Sequence, residues 1–170
     1  MVPAPYFKND IEILNYALTL EHLEAAFYVK VVASNVLTGD EQKTFTIIRD
    51  HEVAHVKALT DGITAAGGTP VKARQSYNFG DLSTRAKILD LANTFEPTGV
   101  GAYDGVAFEI KNKAYLVVAG QIVQIEARHA ATIREIINPD ANPVPMAYEQ
   151  TLRPPTVLAA VSPFLGPEQM

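Results

Sequence analysis

Apolar residues recur along most of this chain at intervals of three and four positions. That spacing places side chains on one face of an α-helix. Four long stretches carry the pattern, and turn-forming residues separate them. The sequence therefore predicts an all-α fold built on four helices. Their expected limits are Asn9 or Asp10 to about Leu37, Asp40 to Gly67–Gly68, Asp81 or Ser83 to residues 110–112, and from there to Asn138.

Residues 67–81 join the second and third helices and are rich in turn formers. Fully extended, they would reach about 50 Å at ~3.3 Å per residue. A helix of about 27 residues is only about 40 Å long. The segment is long enough to run back along the helices, so we predict a four-helix bundle with one long crossover between helices 2 and 3. Pro97 lies inside the third helix, where its missing N–H predicts a kink or a bulge.

The end of the chain differs in composition, with seven prolines after residue 138. We expect residues 1–138 to form the bundle and residues 139–170 to form a Pro-rich extension packed on it. One short helix is predicted at Pro155–Val161, because proline is tolerated in the first turn. The apolar residues expected to dock this helix are Val157, Leu158, Val161, Phe164 and Leu165.

Six potential metal ligands lie within the apolar stripes. Two helices each carry a Glu three residues before a His, and the other two each carry a single Glu in the stripe. Buried carboxylates are costly unless they are paired, protonated or metal-bound, and no Lys or Arg occupies the neighbouring stripe positions. One Glu from each of two helices and a Glu-x-x-His from each of the others is the ligand pattern of a dinuclear metal site in a bundle. The predicted ligands are Glu21, Glu52, His55, Glu96, Glu126 and His129.

Three further residues are expected around these ligands. Tyr28 and Tyr103 each follow a single stripe Glu by seven residues. Either they are amphipathic core residues, or each hydroxyl bonds a ligand Glu from outside the metal. Glu24 competes with Glu21 for the ligand position, and helix geometry favours Glu21 and places Glu24 at the flank.

Other polar residues are expected at the surface. His22 and His51 fall off the stripes, so we predict that both are surface residues. Five glutamates are expected to be solvated charges: Glu12, Glu41, Glu109, Glu135 and Glu149.

The composition excludes several classes of site. A hydrophobic content of 48% and a charged content of 19% are ordinary for a soluble globular chain. The net charge of -5 argues against a nucleic-acid-binding surface. Without cysteine there is no disulfide, thiolate nucleophile, zinc-thiolate site or iron–sulfur cluster. No apolar run is long enough for a membrane span, and the start lacks a signal peptide, so we expect a cytoplasmic protein or a mature form whose export signal was removed.

Four stretches resemble the ferritin-like superfamily: IEILNYALTLEHLEAAFY from Ile11, HEVAH from His51, FEPTGVGAYDG from Phe95 and QIEARHA from Gln124. They are most similar to the ferritin-like domain of plant desiccation-related and fungal stress-induced proteins and their bacterial relatives. The resemblance covers about residues 9–138, and the Pro-rich end is similar too. It implies a binuclear iron or manganese centre. Such centres in the superfamily oxidise iron, activate dioxygen or dismutate peroxide.

One feature departs from that family pattern. Several ferritin-like proteins place an Asp immediately before each Glu-x-x-His, where it supports a ligand His. Here those positions are occupied by His51 and Ile125. The surroundings of the ligands must therefore be built differently, and the reactivity of those relatives does not transfer directly.

We therefore predict a binuclear non-haem metal protein that reacts with dioxygen or peroxide, a ferroxidase- or catalase-like oxidoreductase. Glu52 and Glu126 would bridge or chelate two ions, and each His would bind one. Carboxylate and imidazole ligands suit iron, manganese or zinc, of which we expect iron first. The alternatives are an iron-binding or storage protein without turnover, and a stress or desiccation protein whose metal is structural. The oligomeric state stays open, with a dimer as one option.

Overall fold

The computed structural model describes residues 5–169 and contains no β-strand among them. Four long helices form a bundle, and a short helix follows in the C-terminal extension, which confirms the predicted all-α fold. Short 3-10 turns follow the third and the fifth helix. The helices are α1 (Asp10–Ser34), α2 (Gly39–Ala65), α3 (Arg85–Val106), α4 (Lys113–Ile137) and α5 (Pro154–Val161). None of these helices is long and apolar enough to cross a membrane.

The start of α1 is stabilised by a reciprocal cap. The side chain of Asn9 accepts a hydrogen bond from the backbone N–H of Glu12 at 3.0 Å, and the Glu12 carboxylate accepts one from the N–H of Lys8 at 2.9 Å. These bonds satisfy backbone donors that the helix leaves free. The helix ends at Ser34, three residues before the predicted limit, because Asn35 adopts a left-handed conformation with φ of 55°.

The starts of α2 and α3 differ from the predicted ones. Thr38 precedes α2 in an extended conformation, so Asp40 lies in the first turn instead of at the cap. Thr84 caps α3 by accepting from a backbone N–H three residues later. Asp81 instead accepts from the N–H of Ser83 at 2.8 Å, which forms a turn before the helix. Several adjacent residues could cap, and the backbone conformation selects among them.

The crossover runs back along α1, as predicted. Near its beginning, the carbonyl of Thr69 accepts a hydrogen bond from the side chain of Asn15 at 3.1 Å. Near its end, the ring of Phe79 packs on Phe27 with the centroids 5.4 Å apart. The segment thus passes from one end of α1 towards the other. At that second end, Arg85 at the start of α3 pairs with Glu41 at the start of α2, at 2.8 Å.

Shortening residues 67–81 to about five residues is expected to prevent the native topology. Five residues reach about 17 Å at ~3.3 Å per residue, whereas the 27 residues of α2 extend about 40 Å. Thermal unfolding followed by circular dichroism checks the result, and the shortened chain should lose its cooperative transition. A Gly/Ser replacement of equal length is the control, and it should keep the topology at reduced stability. A shortened protein that melts like the wild type would show that the chain does not need this span.

Pro97 lies inside α3 without interrupting it. The helix is α-helical from Arg85 to Val106, so the bulge predicted at this residue is not formed. Proline removes the hydrogen bond to the carbonyl four residues earlier, here that of Asn93. Asn93 is exposed, so water can hydrate that carbonyl.

The C-terminal extension returns to the bundle and packs closely on α3. The N–H of Leu152 donates to the carbonyl of Gly101 at 2.9 Å. A Cβ atom at Gly105 would lie only 1.8 Å from the carbonyl oxygen of Leu152, so a glycine is required there. Further along, the N–H of Gly166 donates to the carbonyl of Ser76 in the crossover at 3.1 Å. These contacts fasten the extension to both α3 and the crossover.

The short helix α5 docks largely as predicted. Val157 and Val161 are buried, and the ring of Phe164 packs edge-on against Phe95 at 4.9 Å. Leu158 is 42% exposed, so its predicted contribution to docking is wrong. It occupies the outer face of the helix, one position beyond the buried Val157.

Glu109 is not the solvated charge that its sequence context suggests. It is 8% exposed, and its carboxylate accepts hydrogen bonds from the backbone N–H groups of Tyr6 and Phe7. Glu109 thus fastens the N-terminal segment to the end of α3. The N-terminal segment lies about a hundred positions earlier in the chain, so no local pattern indicates this contact.

Candidate metal centre

The six predicted ligands converge in the middle of the bundle. All of them are buried, and the four glutamates are 0% exposed. Their helices place them there because each ligand occupies the inward stripe of its own helix. They are Glu21 on α1, Glu52 and His55 on α2, Glu96 on α3, and Glu126 and His129 on α4.

One half of the cluster surrounds His55. Its Nδ1 lies 2.9 Å from Oε1 of Glu126, 3.2 Å from Oε2 of Glu21 and 3.4 Å from Oε2 of Glu52. One ligand atom from each of these four residues lies within 4.8 Å of the others. The group therefore has the size and donor set of a single metal position.

The other half surrounds His129. Its Nδ1 lies 3.0 Å from Oε1 of Glu52, 3.2 Å from Oε2 of Glu96 and 4.0 Å from Oε2 of Glu126. These four residues form a second group whose ligand atoms lie within 4.8 Å of one another. Glu52 and Glu126 belong to both groups and present one oxygen to each histidine. The two groups are therefore adjacent and share two carboxylates.

The inward atoms of this cluster lack hydrogen-bond partners. Within residues 5–169, eight buried side-chain atoms of the six residues accept or donate no hydrogen bond. They are both carboxylate oxygens of Glu52 and of Glu126, one oxygen each of Glu21 and Glu96, and Nδ1 of both histidines. Buried polar atoms are normally satisfied, so eight converging exceptions require a partner. Six oxygens and two imidazole nitrogens are a donor set that suits iron, manganese or zinc.

Burial raises the pKa of three carboxylates in and beside the cluster, those of Glu24, Glu52 and Glu126, which favours their protonated forms when no metal is bound. Burial, opposed in part by the two histidines, raises the pKa of Glu52 to about 7. Burial, together with the charges of the neighbouring carboxylates, raises the pKa of Glu126 and of Glu24 well above the usual range. A cation at the centre would lower these pKa values again, because it stabilises the ionised form.

The pKa values of both histidines are raised, which favours the protonated imidazolium form. Burial alone would lower the pKa of each ring, but the surrounding carboxylates outweigh it. Ion-pair contacts with Glu126 and Glu21 raise the pKa of His55 to about 12, and ion-pair contacts with Glu52 and Glu96 raise that of His129 to about 9. Without metal, imidazolium cations therefore neutralise part of the carboxylate charge. A metal ion bound at Nδ1 would displace these protons.

Both tyrosines bond a ligand glutamate, which resolves the alternatives that the sequence left open. The hydroxyl of Tyr28 on α1 donates to Oε1 of Glu96 on α3. The hydroxyl of Tyr103 on α3 donates to Oε1 of Glu21 on α1 at 2.5 Å. Burial, followed by the nearby carboxylates, raises the pKa of each phenol well above its usual range, so both remain donors. Each pair crosses between the helices and leaves Oε2 of the glutamate facing the centre.

Glu24 lies closer to the centre than its flanking position suggests. It is 3% exposed and lies against Gly99 of α3. A Cβ atom at Gly99 would be 3.2 Å from Oε1 of Glu24 and 3.5 Å from Oε2 of Glu126. The glycine thus makes room for this fifth carboxylate beside the cluster. Glu24 belongs to neither four-residue group.

The prediction that His51 is a surface residue is wrong. Its ring is half-buried, and its Nδ1 lies 2.9 Å from Nε2 of His129. The two ring planes are 11° apart and the centroids are 5.2 Å apart, so the rings lie side by side with their edges facing. The sequence feature that could have indicated this contact is the position of His51 immediately before Glu52. His22, in contrast, is away from the cluster and contacts the carbonyl of Val71 in the crossover at 3.2 Å.

A comparison with protein families agrees with this geometry. A family model described as "Ferritin-like domain" matches residues 9–139, which is most of the chain. The chain therefore belongs to the ferritin-like domain family. No curated protein matches the chain significantly.

Proposed function

We propose that this ferritin-like protein binds two metal ions between its four long helices and uses them for redox chemistry with dioxygen or peroxide. Iron is the first candidate and manganese the second. Zinc also suits the ligands but is redox-inactive, so it fits only the alternative of a structural metal. The observation that carries the proposal is the set of eight buried, unpartnered atoms in two groups that share two carboxylates. A hydrogen-bonded or purely apolar core would not leave such a set unsatisfied.

Each residue has a distinct task in this proposal. Glu52 and Glu126 present one oxygen to each position, and His55 and His129 each bind at one position through Nδ1. The remaining two glutamates close the two ends, where the tyrosine hydroxyls fix their orientation. These residues would hold iron or manganese ions, which would supply redox chemistry towards dioxygen or peroxide when bound. The protein holds the ligands ready and excludes bulk water from the cluster.

The four stretches quoted above also support assignment to the desiccation-related and stress-induced branch, and we propose a role in stress tolerance on that basis. In such a role, the buried centre would remove ferrous iron, dioxygen or peroxide. The same ligands would equally serve a protein that holds iron without turnover or that uses metal only for stability. A kinetic measurement separates these functions.

The test is consumption of oxidant by reconstituted protein. Apo protein is loaded with Fe(II) or with Mn(II). Consumption of dioxygen is followed with an electrode under excess Fe(II), which supplies the electrons, and consumption of hydrogen peroxide, which needs no other reductant when it dismutates, is followed under excess peroxide. We expect repeated turnover that disappears in the Glu52→Gln, Glu126→Gln variant. A single stoichiometric oxidation would instead support iron holding, and the absence of any oxidation would support a structural metal.

Replacing the two tyrosines by phenylalanine is expected to weaken metal binding without unfolding the protein. The Tyr28→Phe and Tyr103→Phe changes remove only the hydroxyls that bond Glu96 and Glu21. Loss of such an outer partner typically costs about 10- to 100-fold in metal affinity. Calorimetric titration of the apo double variant with Mn(II) checks this. Tyr16→Phe is the matched control, because its buried hydroxyl has no partner within residues 5–169. An unchanged affinity in the double variant would show that the tyrosines only fill the core.

A further inference from the structure

The two halves of the candidate metal centre are nearly equivalent. Each has one histidine, one end glutamate bonded by a tyrosine, and a share of the same two carboxylates. The halves differ at the outer nitrogen of the histidine, the Nε2 atom that points away from the cluster. The difference is whether a residue outside the six proposed ligands hydrogen-bonds this nitrogen.

At one half, His51 hydrogen-bonds the outer nitrogen of His129. The distance from Nδ1 of His51 to Nε2 of His129 is 2.9 Å, and the two ring planes are only 11° apart, so the rings face each other edge to edge. An imidazole that binds metal through Nδ1 carries its proton on Nε2. His129 therefore donates this hydrogen bond and His51 accepts it. The contact fixes both the tautomer and the orientation of the ligand ring.

At the other half, no equivalent contact exists. Within residues 5–169, no group hydrogen-bonds Nε2 of His55. His51 directly precedes Glu52 on α2, and the residue that directly precedes Glu126 on α4 is Ile125. An isoleucine side chain has no acceptor atom, so it cannot support a histidine in this way. The side chain of His55 also keeps 11% of its surface exposed, against 5% for His129.

We infer that His51 is a positioning residue that makes the metal position at His129 the tighter of the two, so that the first ion binds there. The inference rests on the proposed dinuclear site. A ligand ring that is already oriented loses less freedom on binding, and a hydrogen bond to its outer N–H increases its basicity. Support of this kind is typically worth about 10- to 100-fold in metal affinity. The second ion would then complete the pair at the His55 position.

The order of loading can be observed directly with zinc. Apo protein labelled with nitrogen-15 in its histidines is titrated with Zn(II), and the ring nitrogen shifts of His55 and His129 are followed by NMR. We expect the Nδ1 signal of His129 to change during the first equivalent and that of His55 during the second. Calorimetry on the same sample should give two affinities that differ about 10-fold or more.

Variants at position 51 identify the cause of the difference. His51→Leu removes the acceptor and should weaken only the tighter site, so that both histidines shift together. His51→Asn places an oxygen near the original Nδ1 and should restore the order. His22→Leu is the matched control, because His22 is also half-buried but its ring contacts the carbonyl of Val71 in the crossover and not a histidine of the cluster. It should leave both affinities unchanged.

Several results would overturn the inference. These are simultaneous shifts of both histidines in the wild-type protein, first loading at His55, or an equal loss at both sites in His51→Leu. If that variant does not fold, the wild-type titration still decides the order of loading. Absence of any zinc binding would refute the proposed site itself, whereas two equal sites would refute only the role of His51.

Discussion

Replacing Glu52 and Glu126 together by glutamine is expected to abolish binding of both metal ions. These residues belong to both ligand groups, so the change removes two ionised ligands from each position at once. Amides keep the shape of the side chains but are weak ligands, and we expect affinity to fall by more than the roughly 100-fold attributed to outer partners. Elemental analysis after reconstitution with Fe(II) or Mn(II) should change from about two ions per chain to nearly none.

The double variant should nevertheless fold. Two buried groups whose ionisation is costly are replaced by neutral ones, so the apo variant should unfold at the same temperature as the apo wild type or higher. The matched control is Asp61→Asn with Glu135→Gln, which neutralises two exposed carboxylates on the same two helices. That control should keep two ions. A folded Glu52→Gln, Glu126→Gln protein that still binds two ions would refute the ligand assignment.

The second large effect is a pH-dependent stabilisation by metal. The pKa of Glu52 is raised from 4.5 to about 7 in the folded apo protein, so its contribution to stability is present below about pH 4.5 and is lost as pH rises through 7. His129, raised from 6.5 to about 9, contributes fully below about pH 6.5 and loses its contribution through pH 9. The apo protein should therefore lose free energy of unfolding from about pH 5 to pH 9.

Added metal should oppose this loss of stability at rising pH, because metal binding requires deprotonated ligands and therefore strengthens as pH rises. Free metal at about 100 times its Kd adds about 2.7 kcal/mol. For a domain of this size, that corresponds to an increase in Tm of about 5–10 °C at pH 7 to 8. The increase should shrink as pH falls and vanish near pH 4.5, where protons occupy the ligands. Thermal melts with and without Mn(II) across this range check the effect.

A variant with altered end ligands sharpens the pH experiment. Glu21→Gln with Glu96→Gln should raise the Tm of the apo protein and reduce the increase that metal produces. The reason is that two carboxylates that repel their neighbours are lost together with two ligands. Equal Tm values with and without metal for the wild type at pH 7 to 8 would contradict a metal site in the core.

The sequence pattern was sufficient for the fold because apolar residues recur at helical spacing along each long helix, and on α2 and α4 the buried residues form a narrow stripe. The stripe on a helix indicates which side chains face the core. Glu52 lies in the stripe of α2, and Glu126 lies in the stripe of α4. The crossover followed from length alone, since residues 67–81 must reach the far end of the bundle. The exact first residues of the helices could not be predicted from the sequence pattern. Thr38 precedes α2 although Asp40 is the better capping residue, because the backbone at Gly39 turns with a φ of 59°.

The contacts that sequence reasoning missed lie between different helices. His51 lies beside the stripe of α2, yet its ring reaches across to His129 on α4. Tyr28 follows Glu21 by seven positions but bonds Glu96 on another helix. Helical periodicity describes one helix at a time, so it predicts that a side chain is buried but does not identify its partner. The partner depends on how the helices are rotated and spaced in the bundle.

Anomalous diffraction from crystals loaded with Mn(II) tests the metal centre most directly. We expect two peaks per chain, about 3.5–4 Å apart, as in other two-metal sites. The first should lie among Glu21, Glu52, His55 and Glu126, and the second among Glu52, Glu96, Glu126 and His129. A centre without anomalous signal, in crystals whose solution retains Mn(II) in excess at pH 7 to 8, would contradict a dinuclear site in this bundle.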